Sequence, residues 1–196
     1  MVIVRTGIVV VIAAMAAVSA CTSDTPAAPK VPSFNTSTPV SASNERPVPK
    51  SCAGVATLTE VTDILQVGIT GQTLPVVGVP EPKIGRTARI DCYYGVPAGQ
   101  PIAAAVVSIG LASYADGGSA RKRMDGTIAD EKEAGAKASD VPVGSDRGVL
   151  LTATRRTLVA VRGNNTVVVS VAVDLVPENQ AGSLIGKLAD RALTPR

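Results

Sequence analysis

The spacing of apolar residues along this chain changes several times, and each change marks an element. A continuous apolar run over residues 7–18 gives way to residues 22–50, which hold almost no large apolar side chains. From Leu58 the spacing is helical, with Leu58, Val61 and Leu65 on one face. Thr57-Leu58-Thr59-Glu60 has the layout of a capping box, so a helix over residues 58–66 is expected. Residues 68–85 are punctuated by Gly and Pro and read as a loop with room for a short strand. Residues 87–94 alternate: Ile90, Cys92 and Tyr94 share one face, and Arg89, Asp91 and Tyr93 share the other, the signature of a half-buried strand. A turn over residues 96–101 leads to a second strand, residues 102–114, apolar on both faces.

Asp116-Gly117-Gly118-Ser119 opens a helix that runs to about Lys137, with a narrow stripe of Ala120, Met124 and Ile128. Residues 141–147 read as a loop. Three strands follow, over residues 148–154, 157–162 and 166–175. Arg155-Arg156 forms the first, tight turn between them. Gly163-Asn164-Asn165 forms the second and suits the positive φ of hairpin turns. Pro177-Glu178 starts a last helix whose stripe is the clearest in the chain: Ala181, Leu184, Ile185, Leu188 and Ala192. The order of elements predicts an α+β fold, an antiparallel sheet of about five strands with helices packed on one face.

The apolar run near the N-terminus has a different purpose. Residues 1–20 have the layout of a secretory leader: one basic residue, Arg5, then the apolar run, then small residues. The run is shorter than the roughly 20 residues that a permanent transmembrane helix needs. Val18-Ser19-Ala20-Cys21 resembles the consensus of bacterial lipoproteins. That resemblance implies that the Cys21 thiol carries a diacylglyceryl group and that the leader is cut before it. The plain alternative is an ordinary leader followed by a chance cysteine. Acyl burial contributes about 0.8 kcal/mol per methylene, so two or three chains hold a protein firmly. Residues 21–50, rich in Ser, Thr, Pro and Ala, bury too little to offset ordering entropy and read as a disordered stalk. Residues 51–196 form the single extracytoplasmic domain.

The chain has three cysteines and no histidine. With Cys21 assigned to lipid, Cys52 and Cys92 remain, and an oxidising compartment favours a disulfide between them. The spacing is not C-x-x-C, and without histidine no mixed Cys/His zinc site or Ser-His-Asp triad is available. Neither metal nor cofactor is expected. Loss of the leader removes only Arg5, so the formal charge of +3 falls by one. That is too weak a charge to suggest nucleic acid as a partner.

The remaining candidate chemistry is sparse. Ser119-Ala120-Arg121-Lys122 matches the S-x-x-K motif of penicillin-recognising enzymes, but the companion S-D-N and K-T-G motifs are missing. A cap at Ser119 and a solvated Lys122 is the simpler reading. Asp130, Glu131 and Glu133 crowd one exposed helix rather than flank a cleft. Arg121, Lys122 and Arg123 near a helix start, and Arg155 and Arg156 at a hairpin tip, are candidates for contact with an anion or a lipid headgroup, although solubilising charge is the commoner role. Tyr93 and Tyr114 can share a sheet face and line a groove; packing in the core or at an edge is the plainer reading. No enzymatic activity is expected.

Taken together, Val18 to Cys21, the stalk to Lys50 and the pair Cys52 and Cys92 resemble the small lipoproteins of mycobacteria and related actinobacteria. The composition, rich in Ala, Val and Arg and poor in aromatics, is similar too. Some members of that broad group bind lipids or support envelope complexes, and others resemble extracellular sensor domains of membrane kinases. The resemblance implies a non-enzymatic binding domain, tethered by lipid at Cys21 to the outer face of the cell membrane, with an envelope protein or lipid as partner. The alternative it leaves open is a carrier of a lipid or small apolar molecule in a cavity between sheet and helices.

Overall fold

The computed structural model describes residues 46–196. The leader, Cys21 and the stalk up to residue 45 lie outside the described residues. Two short helices come first, α1 (Cys52–Val55) and α2 (Leu58–Leu65). The strands β1 (Gln72–Gly78), β2 (Arg86–Val96) and β3 (Val107–Tyr114) follow. Then come α3 (Gly117–Glu133) and the strands β4 (Lys137–Val143), β5 (Asp146–Thr152), β6 (Arg155–Arg162) and β7 (Asn165–Ala172). Helix α4 (Glu178–Leu193) ends the fold.

All seven strands join one antiparallel sheet in the order β1-β2-β3-β7-β6-β5-β4. The α+β class is as expected, but the sheet has seven strands rather than about five. The two additional strands, β1 and β4, are its edges. Each contains a proline, Pro75 and Pro142, which cannot donate to a ladder and is therefore tolerated only at an edge. The span expected as a loop, residues 141–147, instead holds the end of β4, a tight turn and the start of β5.

Alternation decides what each face of the sheet does. Ile90, Cys92 and Tyr94 of β2, Val107, Ile109 and Leu111 of β3, and Val167, Val169 and Val171 of β7 form one fully buried face. Leu184, Ile185, Leu188 and Ala192 of α4 cover it, together with Val61 and Leu65 of α2. Each such side chain contributes roughly 1.5–3 kcal/mol on burial. At Gly186 a Cβ would come within 2.3 Å of the Pro142 carbonyl, so only glycine lets α4 approach β4 this closely. The Tyr94 hydroxyl donates to Ala56 O at 2.8 Å, and burial pushes its phenol well above the usual tyrosine range. The capping box is formed, with Thr57 N donating to Glu60 Oε2 at 2.7 Å and Glu60 N donating to Thr57 Oγ1 at 3.2 Å.

Helix α3 lies on the opposite face, which corrects the expectation that the helices share one side. Its buried contact is Ala120 against Ala112 and Tyr114, with Val161 alongside. A single small residue gives a shallow attachment. Met124 and Ile128, the rest of the expected stripe, stay half-buried. The helix is capped by Asp116, not Ser119: Ser119 N donates to Asp116 Oδ1 at 2.7 Å.

Folded structure also begins earlier than expected. Arg46 is buried and donates to Ala192 O and Gly54 O, while Asn165 Nδ2 donates to Arg46 O at 2.9 Å. The last residues assigned to the stalk, 46–50, therefore belong with the domain. Cys52 and Cys92 are bonded, with Cα atoms 5.5 Å apart and a sequence separation of 40. The bond ties α1 to the middle of β2, and a loop of that length is worth on the order of 4 kcal/mol in the chain-entropy model.

Candidate binding groove

A recess of about 230 Å³ opens on the face that α3 only partly covers. Its floor is β3, where Ser108, Gly110 and Ala112 present small side chains or none. Larger side chains stand on either side. Across one ladder Tyr93, Asp91 and Arg89 of β2 pair with Ser108, Gly110 and Ala112. Across the other, Val168 and Thr166 of β7 pair with Gly110 and Ala112, and Val159 of β6 lies beyond Val168. Arg123, Met124 and Thr127 of α3 overhang the trough, and Tyr114 closes one end. The recess follows from residue size: a strand of small side chains between strands of larger ones leaves a furrow.

Its chemistry is mixed. Arg89 donates Nε to Asp91 Oδ2 at 2.7 Å and Nη2 to Asp91 Oδ1 at 2.9 Å, a bidentate pair that fixes both planes. The hydrogen bonds to Asp91 raise the Arg89 guanidinium above the ordinary arginine range. At Gly110 a Cβ would lie 2.6 Å from Asp91 Oδ1, so the missing side chain makes room for the carboxylate. Burial raises the Tyr93 phenol, and the nearby Asp91 charge adds to the shift. Arg123 is exposed and forms no ion pair among the described residues.

The residues singled out in the sequence are distributed unevenly. Tyr93 and Tyr114 share the groove. Of the three cations on α3, Arg123 lines the groove and, with Lys122, a neighbouring pocket; Arg121 lines neither. Arg155 and Arg156 lie at the other end of the sheet and are not a free anion site. Arg155 donates Nε to Ser170 Oγ at 2.8 Å and Nη2 to Val106 O at 3.1 Å, and burial lowers its pKa. Arg156 is buried and donates Nη1 to Val176 O at 2.5 Å. The Ser119 hydroxyl donates to Asp116 Oδ2 at 3.0 Å and is committed to the cap. Among the described residues no three His, Cys, Asp or Glu side chains are grouped to hold a metal. No described helix is long and apolar enough to cross a membrane.

Arg89, Asp91 and Gly110 are the functional candidates that sequence reasoning passed over. Their signal was present in the placement of Arg89, Asp91 and Tyr93 on one strand face and in the small residues along residues 108–112.

The fold and the groove define a one-sheet α+β domain with a small recess on its thinly covered face. No protein-family model matches the chain, and no curated protein matches it. Among solved structures it is similar to the extracellular domain of PknH from Mycobacterium tuberculosis, at 14% identity and a TM-score of 0.50 over 76% of this chain and 98% of that one. At this identity the likeness is one of fold.

Proposed function

We propose that this chain is a cell-envelope lipoprotein, anchored through Cys21 on the outer face of the membrane, whose domain binds an envelope component in the groove beneath α3 without transforming it. The observation that carries the reading is the groove itself: two tyrosines and a fixed Arg89–Asp91 pair around a floor of small residues. Its volume of about 230 Å³ is below the roughly 300–1,000 Å³ typical of pockets for drug-sized molecules, which fits one polar group rather than an acyl chain. The filled interface between the sheet and α4 also favours a binding domain over a carrier with an internal apolar cavity. A non-enzymatic role is supported by the engagement of Ser119 with Asp116 rather than Lys122. The fold shared with an extracellular domain is consistent with an extracytoplasmic position.

The anchor is tested by fractionation. The chain is expected in the membrane fraction, cut before Cys21 and carrying acyl mass there, and Cys21→Ser without that mass; a mature chain with an unmodified Cys21 overturns lipidation. Binding is tested by native mass spectrometry of residues 22–196, exported by an actinobacterial host behind a cleavable leader without a lipobox cysteine. A discrete mass that leaves on denaturation is expected, and a bare polypeptide contradicts the reading.

A further inference from the structure

The strand directions bring several features to one end of the sheet. There β1 and β3 end and β2 and β7 begin. The chain joins the domain at the same end, because Arg46 is held by Asn165, the first residue of β7. The adjoining turn meets the start of α3: Tyr114 N donates to Asn164 O at 2.9 Å, and a Cβ on Gly117 would lie 3.1 Å from Gly163 O.

Beside this junction lies an open pocket of about 470 Å³ between the β1–β2 connection and the first turns of α3. Lys83, Lys122 and Arg123 line it, and none of them is in an ion pair among the described residues. The acidic neighbours are already engaged, Glu81 with Arg86 at 2.8 Å and Asp116 with Ser119. The same connection exposes aliphatic side chains: Val79 is 76% exposed and Ile84 37%. Ala115 N donates to Gly85 O at 2.8 Å, which fastens the connection to the start of α3 and holds cations and aliphatics on one surface.

We propose that this end of the domain docks on an anionic lipid bilayer, with Lys83, Lys122 and Arg123 at the headgroup phosphates and Val79 and Ile84 in the interface. Free cations beside exposed aliphatics are what an anionic bilayer surface attracts. The chain enters the domain at Arg46, so a tether would emerge at the same end as that surface. In this respect the proposal rests on the reading of the chain as tethered.

The test is flotation of residues 22–196, which lack leader and lipid but keep every element described, with vesicles of phosphatidylcholine alone or mixed with phosphatidylglycerol. Partition to the mixed vesicles only is expected, falling about fivefold for each of Lys83→Gln, Lys122→Gln and Arg123→Gln. Ile84→Ser should weaken it further, and Lys132→Gln, at the far end of α3, should leave it unchanged. Melting temperatures near that of the parent chain show that the variants fold. Equal partition to both vesicle types, or indifference to the three substitutions, overturns the proposal. Fractionation of the full chain separates the two readings. A membrane-bound full chain whose residues 22–196 ignore anionic vesicles refutes docking and keeps the anchor. Flotation by residues 22–196, together with an unlipidated Cys21 in the full chain, supports docking and refutes the anchor.

Discussion

Arg89 and Asp91 stand two residues apart on one face of β2 and are joined by two hydrogen bonds, at 2.7 and 2.9 Å. Directly across the ladder from Asp91 is Gly110, which has no side chain to displace the carboxylate. The pair and the glycine are one arrangement, and the groove depends on it.

Gly110→Ala is expected to destabilise the domain by about 1–3 kcal/mol, because the new methyl crowds Asp91. In an Asp91→Ala background the same substitution should cost less, since the obstacle has gone. Urea denaturation of the four proteins in this double-mutant cycle gives the coupling. Strictly additive costs would mean that the two residues do not share space as described.

Arg46 is expected to act as part of the domain rather than of a stalk. Arg46→Ala removes donors from Ala192 O and Gly54 O and should cost about 1.5–3 kcal/mol, the range for hydrogen bonds to a charged group. An unchanged urea midpoint for Arg46→Ala would contradict this role.

The disulfide predicts a chemical protection pattern. Cys52 and Cys92 should resist alkylation in the folded and in the denatured, unreduced chain, and react only after reduction. Replacing both with serine should cost about 2–5 kcal/mol in thermal or urea unfolding. Alkylation without reductant would refute the bond.

Glu60 gives the fold an acid-sensitive joint. Burial opposes its ionisation, but hydrogen bonds from Thr57 and Arg191 outweigh this and bring its pKa from 4.5 to about 2. A carboxyl depressed in the folded state stabilises it above the unfolded value and loses that contribution as protons bind. The melting temperature should therefore fall as pH drops from about 4.5 towards 2. Glu60→Gln should flatten that slope while lowering stability at neutral pH. An unaltered slope would place the acid sensitivity elsewhere.

Most of the fold was legible where periodicity was strong. The capping box at Thr57 and Glu60, the alternation along β2 and β7, and the broad stripe of α4 all describe elements that bury one continuous face. Of the edge strands, β1 was legible only as room for a short strand and β4 not at all, because Pro75 and Pro142 interrupt them, and an edge strand need satisfy only one neighbour. The side on which α3 lies was hidden as well: Ala120 alone makes its buried contact, and a contact that narrow does not say which face it meets. Arg155 and Arg156 read as solvated hairpin charge, because local sequence does not show that the Val106 and Val176 carbonyls lie within reach. The groove was legible only in fragments, since its wall and floor come from β2, β3, β6 and β7 and its overhang from α3.

We propose that the groove beneath α3 is where this domain holds its ligand. The most direct test compares native masses of residues 22–196 and of the same chain with Thr127→Trp, both exported by the same host. Thr127 lies on the overhanging helix, half-buried at the groove, so an indole there fills the recess without entering the core. The parent chain is expected to carry a dissociable mass and the Thr127→Trp chain to be bare. The same mass on both would contradict the claim and place the ligand elsewhere on the molecule.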